Sequence, residues 1–133
     1  MLTTTAGRVA RFTPPSAAAA IRARAIESLT HHFAHPEDIP DRLAELDREW
    51  DVERVLEAGS ASLTLLGLVL GVTASRRWLL LSAGVQGFFL QHALQGWCPP
   101  LPVLRRLGVR TLQEIEAERH ALLVVLREAT GVA

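Results

Sequence analysis

The sequence contains one cysteine, no lysine and no tyrosine. A single cysteine excludes a disulfide within the chain and a metal site built from several thiolates. Because the formal net charge is zero, the composition does not indicate a surface for nucleic acid, and we expect no such partner. Because the sequence contains no lysine, all 14 basic residues are arginine, a side chain that suits contacts with lipid headgroups.

Charged residues are scarce in the middle of the chain. Between Ala58 and Leu104 the charged residues are Arg76 and Arg77, whereas the residues before Val55 carry many charges of both signs. Hydrophobic residues make up 49% of the chain, and it is their uneven distribution, more than this average, that indicates a membrane segment.

Two apolar segments flank the arginine pair. At about 1.5 Å per residue, a helix over residues 58–75 reaches about 27 Å, close to the hydrocarbon thickness of a bilayer. We predict a transmembrane helical hairpin over residues 56–97, with spans at about residues 56–75 and 78–97. A soluble bundle with two buried helices is the alternative, but a chain this short has little other apolar surface to cover them.

The arginines near the two spans predict the orientation of the hairpin. The N-terminal residues lack the basic region, apolar stretch and cleavage site of a signal peptide, so we expect the first span to direct insertion. The turn holds two arginines and the flanking segments hold six, which favours both termini in the cytoplasm. The six are Arg42, Arg48, Arg54, Arg105, Arg106 and Arg110.

The segment before the hairpin is expected to form amphipathic helices. Residues 1–15, which contain two adjacent prolines, are expected to be a flexible tail. Residues 16–55 are expected to form a cytoplasmic or interfacial helical pair, separated by a turn with two prolines at residues 35–40. The apolar positions at helical spacing in this pair are Ile26, Leu29, Phe33, Leu43, Leu46 and Trp50.

Residues 98–133 are expected to form a proline-rich connection and a last amphipathic helix. Pro99, Pro100 and Pro102 are expected to end the second span. Thr111, with Glu114 three residues later, predicts a capping box. The apolar positions of the last helix are Leu112, Ile115, Leu122 and Leu126, and its expected solvent-facing residues are Glu116, Glu118, Arg119 and Arg127. The predicted fold is an all-α membrane protein, a two-helix transmembrane hairpin flanked by amphipathic N-terminal helices and a C-terminal amphipathic helix.

Small and polar residues follow one face of each predicted span. Small residues let helices approach closely, and amides can form hydrogen bonds across the contact. These faces predict a tightly packed hairpin or a dimer, although a G-x-x-x-G motif is a weak signal on its own. The predicted helix-packing residues are Ser60, Thr64, Gly67, Gly71, Gly84, Gly87, Gln91 and Gln95. Trp50, Trp78 and Trp97 are predicted to anchor the span ends at the membrane interface.

Histidines offer two candidate ligand sites. His31 and His35 lie one helical turn apart and can share a divalent ion, but the same residues suit a solvated helix end. His92 lies inside the second span, where a hydrogen-bonding role is the commoner one and a haem or metal ligand is the alternative. A bis-histidine haem would need a dimer, since the spans hold no second histidine. We therefore expect no cofactor.

Cys98 lies at the end of the second span. Arg105 and Arg106 follow it and can favour the thiolate, so the thiol is a candidate for oxidation or for carrying a persulfide. The alternative is a small, half-apolar residue that fits a tight helix end. The sequence shows no phosphate-binding loop and no nucleophile–base pair, so we expect no enzymatic activity from the chain alone.

Three segments carry a family resemblance: LDREWDVERVLE before the first span, the glycine-rich hairpin, and GWCPPLPVLRRLGVRTLQEIEAERHAL after it. They resemble the YgaP-like transmembrane domain, a family of bacterial inner-membrane proteins of unknown function, over about residues 42–127. The G-x-C-P element at Gly96, Cys98 and Pro99 is the most characteristic part. The resemblance implies an inner-membrane hairpin and, because some members anchor a rhodanese, a link to sulfur metabolism. This chain has no rhodanese domain, so sulfurtransferase activity is not carried over.

These features favour a non-catalytic interaction, scaffold or accessory protein that associates through its hairpin in the bacterial inner membrane. Its expected partners are the lipid bilayer and either further copies of itself or a larger membrane or cytoplasmic protein. The alternatives are a thiol or persulfide relay at Cys98, and a haem- or metal-binding protein that uses His92 or the pair His31 and His35.

Overall fold

A computed structural model describes residues 7–131, and within that range the protein is helical with no strand. The helices are α1 (Arg8–Arg11), α2 (Pro15–Ala34), α3 (Ile39–Arg48), α4 (Val52–Thr73), α5 (Leu79–Gln95), α6 (Pro100–Arg106) and α7 (Leu112–Thr130). Short 3₁₀ turns at Pro36–Asp38 and Arg76–Trp78 precede α3 and α5. α4 and α5 form an antiparallel hairpin, and the other helices form a helical cap at its open end.

Local sequence signals set the ends of the longer helices. The Thr111 hydroxyl accepts a hydrogen bond from the N–H of Glu114 at 3.2 Å, and the Glu114 carboxylate accepts one from the N–H of Thr111 at 2.9 Å. The predicted capping box of α7 is therefore confirmed. Asp51 caps α4 by accepting from the N–H of Arg54 at 2.8 Å.

The two helices of the hairpin approach closely at Gly67. A Cβ atom at this position would lie 2.3 Å from the Ser82 hydroxyl oxygen and 3.0 Å from the Trp78 carbonyl oxygen, so the approach requires glycine. The Ser82 hydroxyl donates to the Thr64 carbonyl oxygen at 2.9 Å, and the Gln86 amide donates to the Thr64 hydroxyl at 2.7 Å. Small and polar groups thus hold the hairpin together.

The small-residue faces of α4 and α5 have different surroundings. Gly71 faces α5, since a Cβ atom there would lie 2.5 Å from a methyl carbon of Leu79. In contrast, a Cβ atom on Gly84 or Gly87 would meet nothing within 4 Å. Gly67 and Gly71 therefore lie in the contact between α4 and α5, whereas Gly84 and Gly87 lie outside it.

One helical run in the described part of the chain, Pro36–Thr73, is long and apolar enough to cross a membrane, and α4 is its apolar part. Only 11% of its most apolar stretch is buried within the protein, which is unlike the core helix of a soluble bundle. α5 is shorter, at 17 residues against 22 for α4. The protein is thus all-helical with one candidate membrane-spanning helix.

A buried cluster of charges holds the helical cap together. The carboxylate of Glu118, in α7, accepts hydrogen bonds from the Ser28 hydroxyl at 2.6 Å and from Nε of Arg42 at 2.9 Å. Arg110 donates to Glu118 at 2.5 Å and binds Glu49 through two further N–H groups. The expectation that Glu118 faces solvent is wrong: it is 3% exposed, because α2, α3 and the loop before α7 all supply it with donors.

One apolar cluster lies between the helical cap and the hairpin, and a second lies within the cap. The first joins the cap to the hairpin and consists of Val9, Val52, Leu56, Cys98 and Leu101. The second packs α3 against α7 and consists of Ile39, Leu46, Ile115 and Leu122. In addition, the N–H of Val52 donates to the carbonyl oxygen of Arg110 at 2.9 Å, which fixes the start of α4 to the cap.

The buried face of α2 differs from the predicted one. Ile26 and Phe33 are 64% and 70% exposed, whereas Ala17, Ile21 and His32 are buried. The reason is that the Ser28–Glu118 hydrogen bond turns the face containing these three residues toward α7. Trp50 and Leu112 were also expected on apolar faces, and both are exposed; the guanidinium of Arg54 lies 4.6 Å from the Trp50 ring centre.

Two segments expected to be irregular contain helices. Pro100 and Pro102 lie in the first turn of α6, where a missing N–H leaves no intrahelical hydrogen bond unmade, so these prolines start a helix. They do not end α5 as expected, because α5 ends at Gln95 with Gly96 as its left-handed C-cap. The expected tail contains α1, because Val9 packs into the first apolar cluster. Residues 1–6 of that tail lie outside the described residues.

Glu118 should be a main source of the stability of the cap. Burial raises its pKa, but hydrogen bonds from Arg42, Ser28 and Arg110 outweigh burial and lower the pKa from 4.5 to about 2. We expect Glu118→Gln to reduce the free energy of unfolding by about 3–5 kcal/mol, because the buried Arg110 and the partly buried Arg42 lose a counter-charge. Chemical denaturation of the protein in mild detergent measures this change.

The pH dependence of the free energy of unfolding provides a second test with the Glu118→Gln variant. Because the folded pKa lies below the ordinary value, the wild-type protein keeps this stabilisation above pH 4.5 and loses it as the pH falls toward 2. The variant should show a smaller loss. Glu116→Gln, on the exposed side of α7, is the control and should cost less than about 1 kcal/mol. Equal losses for both variants would contradict the assignment.

Candidate functional site

The chain reverses direction after α5, and this turn places Cys98 against the hairpin. Gly96 has a φ of +88°, a left-handed conformation that favours glycine. A Cβ atom there would lie 2.5 Å from Cβ of Arg8 and 2.7 Å from its carbonyl oxygen, so α1 also excludes a side chain. Cys98 follows the turn and is 2% exposed.

His92 lies in the last turn of α5 and faces the start of α4. Its Nε2 atom lies 3.0 Å from Oε1 of Glu53, and Nη2 of Arg8 lies 3.2 Å from the same oxygen. The Phe89 ring is nearly parallel to the imidazole, with 6.5 Å between ring centres. His92 is 1% exposed, and Glu53 and Phe89 both contact its ring.

The other ring nitrogen of His92 is available to Cys98. The Cys98 thiol is close enough to interact with the ring, yet no well-directed hydrogen bond reaches Nδ1 from any residue in the range 7–131. When the imidazole is neutral, the hydrogen bond from Nε2 to Glu53 leaves the lone pair on Nδ1. The site thus combines a thiol, a base and a carboxylate that orients the base.

The carboxylate of this site is charged at neutral pH. The hydrogen bond from His92 lowers the pKa of Glu53, and the charge of Arg8 contributes in the same direction against the effect of burial. A carboxylate at Nε2 stabilises the protonated imidazole, and a protonated imidazole stabilises a thiolate. The arrangement can therefore take the proton of Cys98 and leave a nucleophilic sulfur.

The arginines expected to act on Cys98 have other partners. Arg105 is 2% exposed and donates to both carboxylate oxygens of Glu114, at 2.8 and 2.6 Å, and to the Thr13 hydroxyl at 3.0 Å. Arg106 is exposed. The group that can supply positive charge beside the thiol is thus the imidazole of His92, not the guanidinium of Arg105.

The histidines of α2 form a separate group at the surface. The rings of His31 and His35 stack with 4.8 Å between their centres, and Nε2 of His31 lies 3.1 Å from a carboxylate oxygen of Asp38. His32, between them, is buried and interacts with Ser28. Within residues 7–131, no three His, Cys, Asp or Glu side chains converge as metal ligands. A metal site at His31 and His35, or a ligand role for His92, stays a prediction.

The remaining predicted residues lie along the hairpin. The Ser60 hydroxyl donates to the carbonyl oxygen of Glu57 at 3.2 Å, and the Gln91 amide donates to the side chain of Gln95 at 3.5 Å. Trp50 and Trp97 lie at the open end of the hairpin, and Trp78 lies at the turn. Their role as membrane anchors stays a prediction.

Sequence reasoning did not find Glu53 and Arg8 as parts of this site. The chain separates Glu53 from His92 by 39 positions, and Arg8 lies in a segment expected to be a tail. One signal was present: a charged residue at the start of an apolar helix and a histidine at the end of the next one lie at the same end of a hairpin. This signal predicts that Glu53 and His92 lie near each other, but it does not predict the hydrogen bond between them.

Comparison with known proteins returns no family model that matches the chain, no matching curated protein and no matching solved structure. The resemblance to the YgaP-like transmembrane domain therefore stays a proposal that depends on the residues quoted above. The function has to be inferred from the geometry of the chain itself.

Proposed function

We propose that the protein is an inner-membrane hairpin in which α4 and α5 both cross the bilayer. Supporting this, large apolar side chains of both helices are exposed, although charged residues are absent from α5 and from the later turns of α4. Continued by the 3₁₀ turn before it, α5 has a length of about 30 Å. The exposed apolar residues include Leu65, Leu66, Val69, Val72, Leu80, Leu90 and Leu94.

The proposed orientation has the helical cap in the cytoplasm. The cap holds most of the arginines, while the turn holds Arg76 and Arg77, and an excess of arginine favours the cytoplasmic side. The described N- and C-terminal helices both belong to the cap, which is consistent with two crossings.

Labelling of single cysteines tests this orientation. In a Cys98→Ser background, we expect Ser75→Cys at the turn to react with a membrane-impermeant maleimide added to intact cells. Thr130→Cys, at the end of α7, should react only after the membrane is permeabilised. Labelling of both positions from outside, or of neither, would show that the hairpin does not cross the membrane as proposed.

At the base of this hairpin, we propose that Cys98 acts as a thiol relay, which accepts a group from a donor and passes it to an acceptor. One observation carries this proposal: the buried Nδ1 of His92 lacks a well-directed hydrogen bond and has the Cys98 thiol as its neighbour, while Glu53 holds the opposite nitrogen. An unpaired buried polar atom costs free energy, so its retention beside a thiol favours a chemical role.

A persulfide, which the resemblance to rhodanese anchors suggests, is one group that this thiol can carry. The Cys98 proton passes to Nδ1 of His92, and the thiolate attacks the outer sulfur of a donor persulfide. A bond forms between the two sulfurs, the donor S–S bond breaks, and the leaving thiolate takes the proton from His92. The relay is stoichiometric, so the chain acts with a donor and an acceptor and not as an enzyme on its own.

The alkylation rate of Cys98 tests the role of His92. We expect iodoacetamide to alkylate the purified protein in mild detergent and His92→Gln to slow this reaction by roughly 100-fold, the lower end of the contribution of a positioned base. Glu53→Gln should slow it less, because the base remains. His120→Gln, an exposed position on α7, is the matched control and should have no effect.

The thermal stability of each variant separates chemistry from folding. If His92→Gln melts at the wild-type temperature and Cys98 still reacts at the wild-type rate, the relay is wrong. Complete lack of reaction in the wild-type protein, in detergent and in membranes, would also exclude it.

A second proposed function is association between copies through the α5 face that the hairpin leaves open. The supporting observation is the open space at Gly84 and Gly87, since small residues let a second helix approach closely. We expect Gly87→Cys, in the Cys98→Ser background, to form a disulfide-linked dimer in membranes. Leu65→Cys, exposed on α4, is the control and should stay monomeric. Monomer for both variants would exclude this face as a contact.

A further inference from the structure

Cys98 contributes to the wall of an apolar groove. The groove has a volume of about 370 Å³ and lies between α4, α5 and α6. Its lining includes Gly59, Leu63, Phe88, Phe89, Pro100 and Leu104. This volume is within the usual range for sites that hold small organic molecules, which is about 300–1,000 Å³.

The lining of the groove selects an apolar occupant. Apart from the thiol of Cys98 and the hydroxyl of Ser60, its side chains are hydrocarbon or absent, and the Ser60 hydroxyl already donates within α4. Leu63 and Phe88 are 45% and 48% exposed, so the groove opens on the apolar surface of the hairpin. A flexible hydrocarbon chain fits these conditions, whereas a single sulfur atom would leave most of the groove empty.

The reactive atom determines how such a chain would be attached. Cys98 lies where the groove meets the base of the hairpin, and its thiol interacts with the ring of His92, whose Nδ1 receives no well-directed hydrogen bond from the described residues. A thiol with a neighbouring base attacks carbonyl carbon, and a thioester is the acyl donor that a thiol exchanges with at little free-energy cost. The headgroup of the donor would then lie toward the cap and its chain along α4 and α5.

We infer that Cys98 is an S-acylation site, where a long-chain acyl thioester transfers its acyl group and the hydrocarbon chain occupies this groove. The inference depends on the proposed thiol relay and names the group that it carries. The Cys98 proton passes to His92, the sulfur bonds to the acyl carbon, and the donor C–S bond breaks. The leaving thiolate takes the proton from His92, so no oxidant or reductant is needed.

Intact mass spectrometry of the full-length protein in lipid nanodiscs tests the inference. With palmitoyl-coenzyme A as the probe, we expect one added palmitoyl group that hydroxylamine removes and that Cys98→Ser lacks. Acetyl-coenzyme A at the same concentration should react at least about tenfold more slowly, because it cannot fill the groove.

A pair of glycine variants tests the groove itself. Gly59 lines the groove, and a Cβ atom there meets nothing within 4 Å, so the side chain of Gly59→Leu starts in open space beside the groove. We expect this variant to acylate with palmitoyl-coenzyme A at least about tenfold more slowly than wild type. Gly84→Leu also has open space but lies outside the groove, and it should acylate normally.

The outcomes separate this inference from the relay. A Cys98 that is alkylated and takes sulfur from a persulfide donor, but gains no acyl group, overturns the acylation and keeps the relay. Equal rates with long and short acyl donors, or normal acylation of Gly59→Leu, overturn the role of the groove. A thiol that reacts with none of these reagents overturns both proposals.

Discussion

The guanidinium of Arg110 binds Glu49 and Glu118, and the main-chain carbonyl oxygen of Arg110 accepts a hydrogen bond from the N–H of Val52. Through these three contacts, the loop before α7 is connected to α7, to the end of α3 and to the first turn of α4. The apolar cluster of Val9, Val52, Leu56, Cys98 and Leu101 completes the junction between the cap and the hairpin. The position of α4, and so of Glu53 beside His92, depends on this arginine.

The helices themselves follow from local signals in the sequence. The charge-free segments, the capping box at Thr111 and the prolines of the turn after α2 mark elements that the structure contains. The orientation of the amphipathic helices does not follow from such signals. Periodicity placed Glu118 in solvent and Phe33 in the core, but donors from α2, α3 and the loop before α7 surround Glu118, and Phe33 is exposed. A local sequence pattern does not predict contacts between segments that are far apart in the chain.

The candidate site shows the same division. Cys98 and His92 could be named from the sequence, since a thiol and an imidazole are unusual near the end of an apolar helix. Their contact depends on Gly96, whose left-handed conformation reverses the chain direction after α5. The sequence does not predict the angle of this reversal. Glu53 and Arg8 complete the site because the hairpin and α1 bring them there.

The site also has a consequence for how the protein matures. Arg8 and Glu53 leave the ribosome long before Cys98, whereas Arg110, which fixes the start of α4, is made after it. During synthesis there is thus an interval in which the hairpin is complete and the contacts around Cys98 are not yet held in place. Packing of the cap ends that interval and leaves the groove between α4, α5 and α6 as the open path to the thiol.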